Sequence, residues 1–488
     1  MEARTWSQGG RFVETGELVM ALIRPEQVFK KSREAGTEKK VHFVSLGCPK
    51  NLVDGEVMLG TLSKEGYRVV GSPEDSDVIV VNTCSFVDEA KEESIESILE
   101  MASVKADGGQ KLVVSGCLSQ RYSDQLTEEM PEVDLFIGTG EYQRIGELLE
   151  SEEAPRVAVG RPYYVADHDA PRVLSTPGYT SYVRIAEGCS QRCTFCIIPR
   201  LRGKARSRAI ASVVEEVREL VNAGVVEFNL IAQDLTHYGD DLKDGQTNLA
   251  ALLRELVKIE GAHWFRLMYC YPHNFTDELV DLIRTEDKVC SYVDIPLQHV
   301  DDRMLARMQR RTTEEITRDL MKNLRSIPGM VLRTTFIVGH PGETDESFEK
   351  LYQFVKEVKF DRMGVFRYSQ EEQTKSARME EQVPEDVKEE RYHRLMTLQQ
   401  EISRERMEAL HGQEFEVVVE GLSDETDLLI QSRHYGQAPD IDGYTYLNEG
   451  VEGVEKGDIC RVEVVDTGDY DVVARVLERV RPSRLAQG

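Results

Sequence analysis

Residues 182–203 carry the sequence YVRIAEGCSQRCTFCIIPRLRG, an apolar run that leads directly into three cysteines. Five similar runs follow, with helical segments between them: VEFNLIAQD (226–234), WFRLMYCYP (264–272), YVDIPLQH (292–299), VLRTTFIVG (331–339) and RMGVFRYS (362–369). Strands that alternate with helices form parallel sheets. Six such units in about 200 residues predict a partial (β/α)6 barrel, whose active site lies at the carboxyl ends of the strands.

A second set of strand–helix units precedes this barrel. The apolar runs VHFVSLG, VIVVNT and KLVVSG end at Cys48, Cys84 and Cys117, and DLFIGTG at 134–140 predicts a fourth strand. This α/β pattern predicts an open parallel sheet. Because ligands of such sheets bind at the carboxyl ends of the strands, we expect the three thiols to converge in one crevice there.

Changes in composition divide the 488 residues into predicted domains. A weakly ordered extension is expected over 1–39, the open α/β domain over 40–160 and the barrel over 175–405. A Pro-rich and charged connector over 151–180 marks the boundary between the last two. The tail over 411–480 alternates in twos between glycine-containing turns, which predicts a small antiparallel β-barrel.

The overall composition is that of a cytoplasmic protein. No stretch approaches the ~20 apolar residues of a membrane span, and the amino-terminal residues lack the apolar core of a signal peptide. We therefore expect no membrane partner. Nine cysteines in the cytosol are more often metal ligands or catalytic groups than disulfides. The net charge of −27 argues against the basic surface of a general nucleic-acid binder.

Cys189, Cys193 and Cys196 have the spacing C-x-x-x-C-x-x-C and immediately follow the first barrel strand. Three thiolates on one short loop can hold three corners of a [4Fe–4S] cluster. The fourth iron then has no cysteine, as in catalytic sites that keep an open position. A structural zinc site is the alternative, but zinc wants a fourth ligand, and none lies at finger-like spacing.

Cys48, Cys84 and Cys117 form the second set. A single cysteine after a strand is usually a small buried residue. Three of them after three successive strands of one domain predict a joint role as ligands of a second cluster, again with an open iron. The other three cysteines lie in apolar contexts and are predicted to be packing residues: Cys270, Cys290 and Cys460.

The loop around Cys189 resembles that of the radical S-adenosylmethionine superfamily, including an aromatic residue, Phe195, before the third cysteine. With the N-terminal cysteines, the chain is similar to the methylthiotransferases over residues 40–480, including a tail that resembles their TRAM domain. The resemblance implies two [4Fe–4S] clusters and S-adenosylmethionine as cofactors. One S-adenosylmethionine would methylate sulfur associated with the N-terminal cluster, and another would yield the radical that removes hydrogen from the substrate.

Several residues at predicted strand ends are candidates for contact with S-adenosylmethionine: Phe195, Gln233, Asp234, Gln298, Gly339 and Tyr368. For each of them a purely structural role is the alternative. The segment HPGET places His340 where the family pattern has a phenylalanine.

Two branches of the family differ in substrate. One modifies an adenosine next to the anticodon of transfer RNA, and the other modifies the β-carbon of an aspartate in small-subunit ribosomal protein twelve. SLGCPKN, CTFCIIPRLRG, YVDIPLQH and LRTTFIVGHPGET resemble the protein-modifying branch. The resemblance also implies an electron donor such as flavodoxin or ferredoxin. Methylthiolation of transfer RNA and a non-catalytic iron–sulfur electron carrier are the alternatives, although carriers usually saturate their clusters with four protein ligands.

Charge in the tail supports the protein substrate independently. The segment from Gly412 to Val480 contains seventeen acidic residues and five basic ones. Such a domain would repel phosphates but suits a partner rich in Lys and Arg, so nucleic acid is not expected as the main partner. A long exposed loop is predicted over 438–457, carrying the acidic residues Asp440, Asp442, Glu449, Glu452 and Glu455.

Overall fold

The computed structural model describes residues 39–105, 109–423, 426 and 428–483. These residues form two compact units. The first contains the described residues up to Thr176 with Ala186–Ser190 and Ile197–Arg208, and the second contains Pro177–Ile185, Gln191–Cys196 and the described residues from Ala209 onward. The weak order predicted for the N-terminal extension lies outside the described residues, apart from Lys39.

Six parallel strands form the sheet of the first unit: β1 (Lys39–Ser45), β2 (Tyr67–Val69), β3 (Val78–Thr83), β4 (Lys111–Gly116), β5 (Leu135–Ile137) and β6 (Val157–Ala158). Their order in the sheet is β2-β1-β3-β4-β5-β6. All of β3 is buried, as its continuous apolar run predicts for a central parallel strand. The predicted open parallel sheet is confirmed. The short β2 and β6 were not predicted.

Helices connect these strands: α1 (Pro49–Lys64), α2 (Asp88–Val104), α3 (Cys117–Glu129) and α4 (Ile145–Glu150). Helix α1 begins directly after Cys48, with Pro49 in the first turn. Proline suits that place because the first turn leaves its backbone N–H groups unpaired in any case. Helix α3 begins at Cys117 itself. The cysteines are therefore held where strands turn into helices.

The second unit contains a six-stranded parallel sheet: β7 (Thr180–Arg184), β10 (Glu227–Ile231), β11 (Trp264–Leu267), β12 (Val289–Gln298), β13 (Val331–Val338) and β14 (Arg362–Arg367). The strand order is β14-β13-β12-β11-β10-β7. A two-stranded ladder of β8 (Ala186–Glu187) and β9 (Arg206–Ser207) belongs to the first unit. All six predicted core strands are present, and the order follows the chain as in a partial β/α barrel.

Helix α5 (Ile198–Leu201) belongs to the first unit. The helices of the second unit's core follow the expected alternation: α6 (Ile210–Asn222), α7 (Leu249–Leu256), α8 (Asp277–Thr285), α9 (Asp302–Arg307), α10 (Glu314–Arg325), α11 (Asp345–Val358) and α12 (Glu385–Glu408). Four of them are N-capped by threonine or asparagine side chains. Among the described residues, no helix is both long and apolar enough to cross a membrane.

A closed β-barrel ends the chain: β15 (Glu414–Leu422), β16 (Ile430–His434), β17 (Thr445–Glu449), β18 (Ile459–Thr467) and β19 (Val472–Arg481). Its strands pair in the order β15-β16-β17-β19-β18. Apolar side chains such as Val417, Leu447 and Val462 fill the barrel core. The predicted antiparallel barrel is present with one difference, because β17 and β19 run parallel.

The predicted exposed loop at 438–457 is wrong in part. Strand β17 lies within it, and the side chain of Asp442 is buried. Its carboxylate accepts hydrogen bonds from the Tyr292 hydroxyl at 2.8 Å and from the Ala438 N–H at 2.9 Å. A buried carboxylate needs such partners, so Asp442 holds the fold together and is no part of an acidic surface.

The barrel packs against the amino-terminal edge of the β7–β14 sheet. Glu227, the first residue of β10, is completely buried and accepts hydrogen bonds from Arg433 at 2.7 Å and Arg266 at 2.9 Å. Burial would raise the pKa of Glu227, but the two guanidinium groups hold it at about 2. At the start of β13, the Tyr435 hydroxyl donates to the Gly329 carbonyl oxygen at 2.8 Å. These contacts fix the barrel at the edge opposite the carboxyl ends of the strands.

Candidate functional site

The cysteines of the N-terminal set lie at the carboxyl ends of three adjacent strands, β1, β3 and β4. The turn before Cys48 comes so close to Cys84 that a Cβ atom on Gly47 would lie 2.8 Å from the Cys84 Cβ and 3.2 Å from its sulfur. Gly47 also has a φ of +89°, which favours glycine. The structure thus brings these thiols to one edge of the sheet, as predicted.

The electrostatics of this set suit a bound cation. Burial, followed by the neighbouring thiols of Cys117 and Cys48, raises the pKa of Cys84. Burial also raises the pKa of Cys117, and the guanidinium of Arg202 opposes that shift. Cys84 and Cys117 are buried, whereas Cys48 is exposed. Thiolates at neighbouring strand ends repel one another, and a metal cluster that binds them removes this cost. The donor set therefore fits an iron–sulfur cluster.

A polar network surrounds the N-terminal cysteines. Asn51 donates to the Thr83 carbonyl oxygen at 2.7 Å and to the Leu46 carbonyl oxygen at 3.2 Å, which fixes its amide. The Cys117 sulfur lies 3.7 Å from the amide oxygen of Asn51. Arg202 is hydrogen-bonded to the same amide oxygen. Sequence reasoning missed Asn51 and Arg202, although both belong to the motifs SLGCPKN and IPRLRG.

In the second set, each unit positions its own cysteines. In the first unit, the Cys189 N–H donates to the Gly203 carbonyl oxygen at 3.0 Å. The preceding Gly188 has a φ of +83°, and a Cβ there would lie 2.3 Å from the Lys204 carbonyl oxygen, so only glycine fits. All three cysteines of the set are half-buried.

In the second unit, Cys193 and Cys196 form a tight turn, with the Cys196 N–H donating to the Cys193 carbonyl oxygen at 3.3 Å. Thr194, which follows Cys193, donates its N–H to the Met308 carbonyl oxygen at 3.0 Å. A guanidinium nitrogen of Arg310 lies 3.9 Å from the Cys193 sulfur. The positive charge of Arg310 thus lies beside one of the predicted cluster ligands.

Three aromatic rings lie beside this turn. The Phe195 ring meets the His340 ring edge-on with centroids 6.4 Å apart, and His340 meets Tyr368 in the same way at 5.3 Å. Burial lowers the pKa of His340 to about 4, so the imidazole is neutral at pH 7. The structure therefore brings Phe195 and Tyr368 to one place, with His340 between them as a neutral ring where the family pattern has phenylalanine.

Asp234 and Gln233 follow β10 at the same edge of the sheet. The Asp234 carboxylate is buried and accepts hydrogen bonds from Gln191 at 3.0 Å and from the Thr236 hydroxyl at 2.9 Å. Burial raises its pKa. Gln191 lies between Cys189 and Cys193 in the sequence, so its bond to Asp234 ties the cysteine loop to β10. Gln233 is half-buried next to Asp234.

Gln298 ends strand β12, and Gly339 directly follows strand β13. Gln298 has a φ of +71°, a conformation that costs free energy for a residue with a Cβ. Its buried side-chain oxygen accepts no hydrogen bond from the described residues. A buried acceptor without a donor suits a ligand that supplies one. Gly339 has a structural reason for its identity, because a Cβ there would lie 2.2 Å from the Lys388 side chain.

The remaining cysteines take no part in either set. Cys270, Cys290 and Cys460 are all buried, and burial raises the pKa of each thiol. A buried thiol with a raised pKa behaves as a small apolar side chain.

Fold and site together define a class of protein, the radical S-adenosylmethionine proteins. The family model described as "Radical SAM superfamily" matches residues 183–355. The model "Uncharacterized protein family UPF0004" matches residues 40–138, and the model "TRAM domain" matches residues 412–477. The region of the N-terminal cysteines, the region of the second cysteine set and the tail barrel therefore each match a family model.

Solved structures share this architecture. The chain is similar to the radical S-adenosylmethionine methyltransferase TsrM from Kitasatospora setae, with a TM-score of 0.51 and 16% identity over 68% of this chain and 75% of that one. It is also similar to the cobalamin-dependent S-adenosylmethionine radical enzyme OxsB, with a TM-score of 0.51 and 14% identity over 75% of this chain and 56% of that one. At these identities the likeness concerns the fold alone.

Relatives of much higher identity narrow the assignment. Proteins named ribosomal protein uS12 methylthiotransferase RimO are 51% identical in Syntrophotalea carbinolica, over 92% of this chain and 99% of the relative, and 49% identical in Myxococcus xanthus, over 92% and 94%. The chain belongs to the RimO family of methylthiotransferases. It is therefore a radical S-adenosylmethionine methylthiotransferase, with two [4Fe–4S] clusters and S-adenosylmethionine as its cofactors.

Proposed function

We propose that this enzyme adds a methylthio group to the β-carbon of an aspartate in ribosomal protein uS12. The observation that carries the proposal is the pair of three-cysteine sets, each one ligand short of the four that saturate a cluster, in a chain about half identical to enzymes named for that reaction. When bound, the clusters and S-adenosylmethionine supply the radical and the sulfur. The chain itself holds these groups, orients the substrate and excludes water.

We assign the ligands by set. Cys48, Cys84 and Cys117 would hold the auxiliary cluster, and Cys189, Cys193 and Cys196 the cluster that cleaves S-adenosylmethionine. Phe195, Asp234, Gln298 and Tyr368, with Gln233 and Gly339, would line the place of S-adenosylmethionine at the carboxyl ends of the strands. The side-chain oxygen of Gln298 supports this best, because it is buried and lacks a donor among the described residues.

These assignments give each predicted domain a task. Residues 40–160 would carry the auxiliary cluster, 175–405 would generate the radical and 411–480 would recognise the ribosomal protein. A small electron-transfer protein such as flavodoxin or ferredoxin would supply the electron, and the reaction would take place in the cytoplasm, where uS12 is made. Extension 1–39 receives no task.

The proposed substrate is tested by mass spectrometry of uS12 and of transfer RNA from cells that lack this gene. We expect the uS12 aspartate to lack its methylthio group, a decrease of about 46 Da, because SCH₃ replaces one hydrogen in the modified residue and the net difference is CH₂S. Transfer RNA should be unchanged. Loss of a methylthio group from adenosine with intact uS12 would instead establish the alternative branch.

The acidic surface of the barrel provides a second test. Glu449, Glu452 and Glu455 are exposed, in contrast to buried Asp442. Asp440 is left unchanged because its φ of +62° makes it a poor site for lysine. Changing the three glutamates to lysine should slow capture of uS12 and lower turnover at low substrate, while cleavage of S-adenosylmethionine continues. Binding should also weaken as salt rises.

A charge reversal elsewhere on the chain distinguishes an effect of these three barrel positions from an effect of the changed net charge. Glu92, Glu96 and Glu100 are exposed on helix α2, and their change to lysine alters the net charge equally. This control should bind uS12 as the wild type does. If the barrel variant also binds uS12 normally, or binds transfer RNA and methylthiolates its adenosine, the acidic barrel does not select the ribosomal protein.

A further inference from the structure

Arg202 is a buried arginine whose guanidinium lies against the N-terminal cysteine set. Its Nη2 atom lies 3.5 Å from the Cys117 sulfur and also donates to the Asn51 side-chain oxygen. Its Nη1 atom donates to the Asp54 carboxylate at 2.5 Å. Only 3% of the side chain is exposed. A guanidinium withdrawn from water in this way is held in one orientation by its partners.

We propose that Arg202 is a positioning residue that raises the reduction potential of the cluster bound by Cys48, Cys84 and Cys117. The inference rests on the proposed function, which assigns a cluster to these cysteines. Adding an electron makes a cluster more negative, and hydrogen bonds to its sulfur atoms or a nearby positive charge stabilise that state. The Nη2 atom supplies both at the Cys117 sulfur.

The neighbouring carboxylates leave this effect in place. Asp54 binds Nη1, and the Glu187 carboxylate also lies on the Nη1 side, at 3.6 Å. Nη2 instead faces Cys117 and the uncharged amide of Asn51. Electrostatic energy falls with distance. The Cys117 sulfur therefore interacts more strongly with the Nη2–H group that points at it than with the carboxylates on the Nη1 side. The carboxylates fix the guanidinium and keep its buried charge paired.

The geometry also explains why the residue is arginine. A planar guanidinium reaches a carboxylate, an amide oxygen and a sulfur at once, through two nitrogens in fixed positions. A lysine ammonium is a single point with no fixed fork. Arg202 lies six residues after Cys196 in the sequence.

The test is a potentiometric titration followed by electron paramagnetic resonance. It uses the full-length chain with Cys189, Cys193 and Cys196 all changed to alanine, so that only the N-terminal cluster is bound. In this parent, Arg202→Gln should shift the midpoint potential to a lower value. Arg202→Lys keeps a charge without the fork and should produce a smaller decrease.

Arg172→Gln is the matched control. Arg172 is also a buried arginine paired with a carboxylate of helix α1, Glu56 at 2.6 Å. Its loss should destabilise the same unit while the midpoint potential stays unchanged. An equal shift in this control would show that the effect comes from general loosening, and would overturn the role of Arg202.

Two measurements separate this inference from the proposed function. The iron content and the spectrum of the parent show whether a cluster binds at all. Absence of the cluster would contradict the proposed function itself. An intact cluster whose potential is unaffected by Arg202→Gln overturns only the inference. If that variant fails to bind iron, pulsed resonance on the parent labelled with ¹⁵N-arginine decides, because we expect coupling between a guanidinium nitrogen and the reduced cluster. Absence of that coupling would refute the contact.

Discussion

Protein reconstituted anaerobically with iron and sulfide is expected to hold about eight irons, and the Cys193→Ala variant about four. Cys193 is the middle cysteine of its loop, half-buried, with the Arg310 guanidinium 3.9 Å from its sulfur. Its loss leaves two cysteines, too few to hold a cluster and keep one iron open. Reductive cleavage of S-adenosylmethionine should therefore disappear, which is measured by chromatography of 5′-deoxyadenosine.

The control for this prediction is Cys460→Ala. Cys460 is a buried cysteine in the core of the tail barrel, outside both sets. The change removes the same atoms and should leave about eight irons and normal cleavage in the folded protein. Tightly bound zinc at either set, with no iron after reconstitution, would contradict the assignment of both sites.

The Cys84→Ala variant is expected to lose methylthio transfer completely while it still cleaves S-adenosylmethionine. Cys84 lies at the end of β3, between the strands that end at Cys48 and Cys117. Without it the auxiliary cluster should be lost, so methylthio transfer to uS12 should fall below detection. Cys189, Cys193 and Cys196 remain, so 5′-deoxyadenosine should still form on reduction. Both products are measured in one reaction by mass spectrometry.

Cys290→Ala serves as the comparison for this variant. Cys290 is buried in β12 and belongs to neither set, so its loss should leave both activities present. If Cys84→Ala still produced methylthiolated uS12 at the normal rate, the N-terminal cysteines would have no role in sulfur delivery and their assignment would be withdrawn.

The parallel sheets were predictable because their strands are apolar, buried and bounded by turns. The six runs from YVRIAEG to RMGVFRYS all became strands of one sheet, and Cys48, Cys84 and Cys117 were placed correctly at strand ends. Periodicity and the rule that parallel strands share an orientation suffice for this. Strands β2 and β6 are only three and two residues long, too short to show any period.

Contacts between residues far apart in the chain could not be predicted. Arg202 and Cys117 are separated by 85 residues, and Arg433 and Glu227 by 206. A charged residue on its own predicts a solvated surface, and burial shows only when the fold supplies its partner. For the same reason Asp442 was predicted to be exposed, whereas the Tyr292 hydroxyl binds it in the interior.

The position of the tail barrel sets the distance that a substrate held by the barrel, as proposed above, would have to span. Glu227, Arg266 and Arg433 lock the barrel to the amino-terminal ends of the strands, whereas Asp234 and Gln298 lie at their carboxyl ends. Strands of five to ten residues separate these ends by about 17–33 Å. With the proposed recognition of uS12 by the barrel, a short peptide cut from uS12 would react at the carboxyl ends of the strands without contacting the barrel. Only a longer chain would bind the barrel and reach the reaction site at the same time.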